Sequence, residues 1–428
     1  MRASKQQGGG FSALLLLLGV EPRIWPIYTY WVGELPVVCI TDLNKIIETF
    51  QKDGETYAGR YSPTEMYKLL KGGTTGVVLL KEVGNRIFGL KIDLFIYCKC
   101  SELWRDQRRF TLHVFRDFGL GKNLMQEKIL LEVGALIAKI DAENEKGKTE
   151  HNVHSHIDMA VGSIINKLLF GYRYSEDKEE EFHHLKGPQF NESVRVHDQL
   201  YQFYEKIIRE HEADLDLNEP PTDYVAAFLK KKAKQDKLGE PHYYTISQLK
   251  SMCFDLWLAG QETTSTTLAW GGDRQITLAD RPNLPFTNAV VNETQRVCNL
   301  LPQNIFHKTT KDVTIYGHLI KKGTCILPQI SAVLCNDDIF QNAEKFNPNR
   351  FLDVNGQLKK CDELIPFGVG KRQCLGEALA RMELFLILAN IFNTFKVSAC
   401  ETPPSLTRSY GGTVQCPPYL CKMQRRHT

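Results

Sequence analysis

The chain has 428 residues, 43% of them hydrophobic and 24% charged, with 53 Lys and Arg against 50 Asp and Glu for a net charge of +3. That is the make-up of a globular protein with a large core; it argues against disordered, collagen-like and multi-span membrane classes, and mixed charge without a basic cluster argues against a nucleic-acid partner. Twelve cysteines are present, but only Cys98 and Cys100 lie close together, which points to neither a disulfide scaffold nor a structural zinc site and favours a reduced, cytosol-facing compartment.

In chain order, Arg2 and Lys5 precede the apolar run Phe11–Val20, ten residues long, where a bilayer span needs about 20. A leader, a shortened membrane anchor and a buried strand all remain open for residues 1–26. Residues 27–41, rich in aromatic and β-branched side chains around Gly33-Glu34, predict a β-hairpin. The oily, cysteine-bearing stretch 79–100 is unlike a solvated loop. From about residue 101 the apolar residues recur at three- and four-residue steps, predicting helices over 103–117, 124–143, 156–170, 195–214, 247–270, 287–298 and 376–395. His151, His154 and His156 read as surface or capping histidines, because no acidic or cysteine partner stands at ligand spacing. The charge run Glu176–Phe182 reads as a solvated helix start, and Val313–Ile320 as short β-structure. The sum is a mainly α fold with small β-sheets.

The most informative window is 364–388. A Gly-rich loop ends at Gly370, Lys371-Arg372 follows, then Cys374, then an apolar helix from Gly376. A cysteine just before a helix N-terminus, with an arginine two residues away, has unpaired amides and the helix dipole to favour its thiolate. A phosphate loop fails because Ile365 occupies the first glycine position and Arg372 the Ser/Thr position, and a dinucleotide fingerprint fails at Gln373. A low-pKa thiolate serving as a metal ligand survives the comparison.

Phe367-Gly-Val-Gly-Lys-Arg-Gln-Cys374-Leu-Gly376 resembles the haem-binding signature of the cytochrome P450 family, Phe-x-x-Gly-x-Arg-x-Cys-x-Gly, at every specified position. The resemblance implies that Cys374 is the thiolate ligand of haem iron, with Phe367 and Arg372 beside the cofactor. Three further motifs follow in family order. Ala259-Gly260-Gln261-Glu262-Thr263-Thr264 resembles the oxygen-activation segment, implying that Glu262 and Thr263 relay protons and that Ala259 and Gly260 leave room above the haem. By propensity alone, a mid-helix glycine costs about 1 kcal/mol and needs some packing reason. Glu293-x-x-Arg296 with Arg350 resembles the family's structural Glu/Arg network. Trp104-x-x-x-Arg108 resembles the pair that meets a haem propionate, and His307 stands where the family often has another propionate-binding group.

The resemblance runs from about Ile27 to Val397 and is greatest to the animal microsomal branch. It implies a P450 fold over 27–428 and haem b with an axial thiolate. It further implies NADPH electrons delivered through a flavoprotein reductase, small hydrophobic substrates of the xenobiotic, fatty acid or steroid class, and contact with the cytosolic face of the endoplasmic reticulum membrane. The chain also departs from the family. Glu293 follows Thr263 by only 30 positions, where the family has two more helices, so deletions are expected near 270–273 and near 185–191, and an atypical insert at 79–100. Two alternatives stay open at this point: a haem-deficient variant of such an enzyme, and a non-oxygenating haem-thiolate isomerase or sensor.

Overall fold

The computed structural model describes residues 25–32, 34–61, 102–120, 123–174, 190–267, 276–302, 304–401, 409–410, 413–415 and 419–426. In chain order the strands are β1 (Ile27–Val32), β2 (Leu35–Ile40), β3 (Gly59–Arg60), β4 (Glu150–His151), β5 (His307–Lys308), β6 (Val313–Ile315), β7 (His318–Ile320), β8 (Cys325–Pro328), β9 (Phe395–Ala399), β10 (Ser409–Tyr410), β11 (Val414–Gln415) and β12 (Cys421–Arg425). The long helices are α1 (Glu102–Asp117), α2 (Asn123–Glu145), α3 (Val153–Phe170), α4 (Phe190–Ala213), α5 (Tyr224–Leu238), α6 (Ile246–Thr267), α7 (Pro285–Cys298) and α8 (Glu377–Thr394).

The predicted hairpin forms with Val32 opposite Leu35. It enters a five-stranded sheet in the order β1-β2-β8-β5-β3, in which β8 runs parallel to β2 and the other pairs are antiparallel. Val37, Cys39, Ile40, Ile326 and Leu327 are fully buried there, so the sheet is held by its own core. A second sheet, β4-β12-β9, joins the C-terminal segment to His151. The stretch 313–320 is a separate small hairpin, β6-β7.

The helices form because their apolar stripes need one another. α3 and α8 are buried on nearly all sides, as an all-round apolar sequence demands. α6 packs on α3, and α8 on α2, α7 and α6, within one continuous apolar cluster. The predicted helices are all found, shifted by up to five residues at their ends. α5 was not foreseen. Its first turns bury Tyr224, Val225, Phe228 and Leu229, but the rest is the charged run Lys230–Lys237, which hides the period. Its bounds are chemical: Asp223 accepts the Ala226 N–H at 2.8 Å, and Gly239 closes the helix at φ 68°.

The histidine reading is corrected. His151 is wholly buried and His156 nearly so, and Glu143 at the end of α2 supplies the acidic partner. The sequence separation was too long to show this, because a turn and β4 bring the chain back. The stretch 79–100, the run 176–182 and the expected deletion points at 185–189 and 270–273 lie outside the described residues.

Candidate functional site

The cysteine loop is fixed by its own backbone. The Gly368 N–H donates to Ile365 O and the Cys374 N–H to Phe367 O, both at 3.0 Å. Gly370, at φ 77°, lies so close to Phe50 that a Cβ would come within 1.8 Å of the Phe50 carbonyl oxygen, so no other residue fits this contact. Gly376 then caps α8. The sulfur therefore sits where the first amides of a buried helix point outward.

The electrostatics at the sulfur are mixed, and the side chain is exposed at the loop surface. Desolvation pushes the Cys374 thiol up, and the charge of Glu377 adds to it; the N–H groups of Gly376 and Glu377 and the Arg108 guanidinium pull the other way without prevailing. The helper cation is Arg108 rather than Arg372. Such a sulfur becomes a thiolate when a metal replaces its proton.

Four basic groups gather beside it. On α1, Trp104 is buried and carries Arg108 one turn on, with the guanidinium 5.7 Å from the indole centroid. Arg108 donates through Nη2 to Gln373 O at 2.8 Å. Arg372 stacks on the same indole at 4.0 Å and donates through Nε to Ala58 O at 2.9 Å. Arg60 on β3 donates to Ile305 O and stands opposite His307 on β5. His307 lies in a strand rather than a loop. Its Nδ1–H donates to Tyr57 O at 2.7 Å. Burial and the charges of Arg60 and Arg372 hold it well below the usual imidazole value. His307 is thus neutral and offers a lone pair at Nε2; it becomes a donor to a carboxylate only if that charge draws a proton onto the ring. Arg60 was not foreseen, since residues 50–61 carry no motif; the only signal was an arginine in an apolar strand.

The other wall is α6. Thr263 donates its hydroxyl to Ala259 O at 2.6 Å, one turn back. Gly260 does not face open space: a Cβ there would lie 2.5 Å from Ile165 Cδ1, so the glycine lets α6 approach α3. The packing explanation holds for that position. Ala259 is exposed, and the side chain of Glu262 lies outside the described residues. A cavity of about 50 Å³ bounded by Thr263, Thr264, Cys298, Leu300, Phe367 and Leu384 joins this helix to the cysteine loop. Glu383, on α8, was missed because its helix read as plain core. It is buried, and burial pushes its carboxyl up to about 8, with the Thr264 hydroxyl only partly offsetting this. It is protonated at neutral pH.

Further away, Arg296 binds Glu293 bidentately, Nε to Oε2 at 2.7 Å and Nη2 to Oε1 at 2.8 Å, and donates to Leu334 O and Ala343 O. Arg350 reaches Glu293 Oε1 at 3.1 Å, and the Asn347 N–H reaches it at 2.8 Å. The three residues meet as the sequence predicted, in a core with almost no exposure.

Comparison with known proteins agrees with this geometry. The profile of the family described as Cytochrome P450 matches residues 20–187, 181–271 and 270–423. The chain belongs to the cytochrome P450 family. It is 30% identical to cytochrome P450 2C16 of Oryctolagus cuniculus over 92% of this chain and 86% of that protein. It is 32% identical to cytochrome P450 2H2 of Gallus gallus over 88% and 82%, and 30% identical to the probable cytochrome P450 cyp-35D1 of Caenorhabditis elegans over the same shares. The fold is accordingly the mainly α P450 fold, and the family is one of haem-dependent oxidoreductases of monooxygenase type.

Proposed function

We propose that this P450 chain is an active haem-thiolate monooxygenase, inserting one oxygen atom from O2 into a small hydrophobic substrate with electrons from NADPH through a flavoprotein reductase. The observation that carries the reading is the donor set: one soft sulfur at a helix N-terminus, with Trp104, Arg108, Arg372 and His307 gathered beside it. A sulfur ligand and a group of cations fit an iron macrocycle bearing two carboxylates, and haem b is that group. When bound, the haem supplies the oxygen chemistry, which no side chain here could perform.

The residues divide the remaining work. Cys374 would be the residue to hold the haem iron, with its thiol proton released to solvent and the Gly376 and Glu377 amides directed at the sulfur. Arg108 and Arg372, braced on the Trp104 indole, would hold the carboxylates, and His307 would join them on taking up a proton. Thr263, tied to the Ala259 carbonyl, presents a hydroxyl that passes protons inward in series with Glu262. The buried, apolar interior favours an oily substrate and excludes water. Among the described residues no helix is long and apolar enough to cross a membrane; the apolar run 11–20 suits an interfacial tether on the cytosolic face of the endoplasmic reticulum.

The reductase is the proposed electron donor because α1 and α5 present a basic basin of about 700 Å³, with Arg109, Arg116, Lys231 and Lys234 against the single acid Asp106. Such a surface steers an acidic partner. The shortfalls near 185–191 and 270–273 are part of the same proposal, supported by the family match restarting at 181 and at 270. The test is NADPH consumption and hydroxylated product from the haem-loaded full chain with purified reductase and a panel of fatty acids and steroids. Reductase-dependent product supports the reading. Haem bound through thiolate without any turnover would favour an isomerase or sensor instead.

A further inference from the structure

The chain holds a second constellation of ligand chemistry, far in sequence from the cysteine loop. Glu143 at the end of α2, His151 on β4 and His156 in the first turn of α3 bring one carboxylate oxygen and two ring nitrogens within 4.8 Å of one another. His151 Nδ1 lies 3.0 Å and His156 Nε2 3.3 Å from the same Glu143 Oε2. Zinc held at about 2.0–2.1 Å by such donors in tetrahedral geometry separates neighbouring ligand atoms by about 3.3 Å; the His156 contact has that length and the His151 contact is a few tenths of an ångström shorter.

The hydrogen-bond pattern aims both imidazoles at one carboxylate oxygen and leaves His156 without a hydrogen bond there. Asn144 donates through Nδ2 to Met423 O at 3.1 Å, which turns its Oδ1 toward His151 Nε2, 3.0 Å away. Nε2 therefore donates to Asn144, which leaves Nδ1 as the ring atom that faces the carboxylate. Either a ring proton or a shared cation can bridge that 3.0 Å contact. His156, buried to nine-tenths, aims Nε2 at the same oxygen and finds no hydrogen-bond partner of acceptable geometry there. The Asn144 contact is the kind of outer hydrogen bond that orients a metal-bound imidazole.

We infer that Glu143, His151 and His156 form a divalent-cation site of zinc type, with water completing the shell, which clamps the end of α2 to β4 and to the start of α3. Two imidazoles and one carboxylate select zinc over calcium or magnesium, which prefer all-oxygen shells. The present competitor is Lys148, a half-exposed residue whose ammonium lies 2.7 Å from Glu143 Oε2. A metal displaces it into solvent.

The test is zinc content after dialysis of the haem-loaded full chain against buffered micromolar Zn²⁺, combined with zinc X-ray absorption. The expected result is one more zinc per wild-type chain than per His156→Gln chain, with a shell of nitrogen and oxygen showing two imidazoles. Lys148→Ala, a surface change, is expected to tighten zinc binding several-fold, which keeps the inference testable if His156→Gln does not fold. Equal zinc in wild type and His156→Gln, zinc bound only by sulfur, or an affinity unmoved by Lys148→Ala would each overturn the site, leaving a proton on His151 to bridge the pair.

Discussion

Two buried charged clusters in this molecule are built on opposite plans. Around Glu293 the positive charges of Arg296 and Arg350 converge on a carboxylate, and the guanidinium groups also find backbone carbonyls. Around Trp104 the chain gathers Arg60, Arg108, Arg372 and a histidine, and their mutual repulsion is strong enough to help hold His307 neutral. The balanced cluster serves the fold by itself. The cation-rich one, whose Arg108 and Arg372 are only partly buried, stores a field whose natural complement is anionic, and that distinction separates a structural network from a cofactor cradle.

The comparison can be broken most forcefully at the balanced cluster. Arg296→Ala removes the bidentate partner of buried Glu293, leaving only Arg350 and the Asn347 N–H on one oxygen, and is expected to destabilise the fold by about 3–5 kcal/mol whether or not haem is present; denaturant unfolding of haem-free and haem-loaded protein measures it. Arg372→Ala should behave in the reverse manner. It should accelerate haem loss roughly tenfold, the loss of about one charge-assisted hydrogen bond, while haem-free stability changes little; transfer of haem to an acceptor globin reads this out. Equal effects of both substitutions on both quantities would erase the distinction.

Smaller effects refine it. Between the ordinary carboxyl value of about 4.3 and about 8, folded Glu383 keeps a proton that the unfolded chain releases. Stability should therefore fall as pH rises through that window. Glu383→Gln should flatten the slope and raise Tm at pH 8 by a few degrees, with little change at pH 5; thermal unfolding at the two pH values checks it. Least in size, Lys234→Glu in the basic basin should slow reductase association several-fold at low salt and hardly at all at high salt, as stopped-flow reduction would show.

Much of this was legible in the sequence because it is local. The cysteine loop, the Glu293-x-x-Arg296 pair and the hairpin at 27–41 each lie within a few residues, so spacing alone places them on one turn or one face. What escaped depends on tertiary neighbours. Arg60 joins the cation group only through the pairing of β3 with β5, and the Gly260 position is decided by Ile165 on another helix. That Arg108 on α1 is the cation acting on Cys374 depends on the packing of that helix against the loop, which no motif shows. Glu143 was hidden from His151 and His156 by a chain reversal, and the Lys-rich half of α5 masked its period.

The central claim is that Cys374 binds haem iron as a thiolate in this chain. The most direct measurement is the carbon monoxide difference spectrum of the reduced, haem-loaded full chain beside Cys374→Ser. A thiolate-type band in the wild type that vanishes in the variant is the result predicted. Absence of bound haem, or an identical spectrum from the two proteins, would contradict the account.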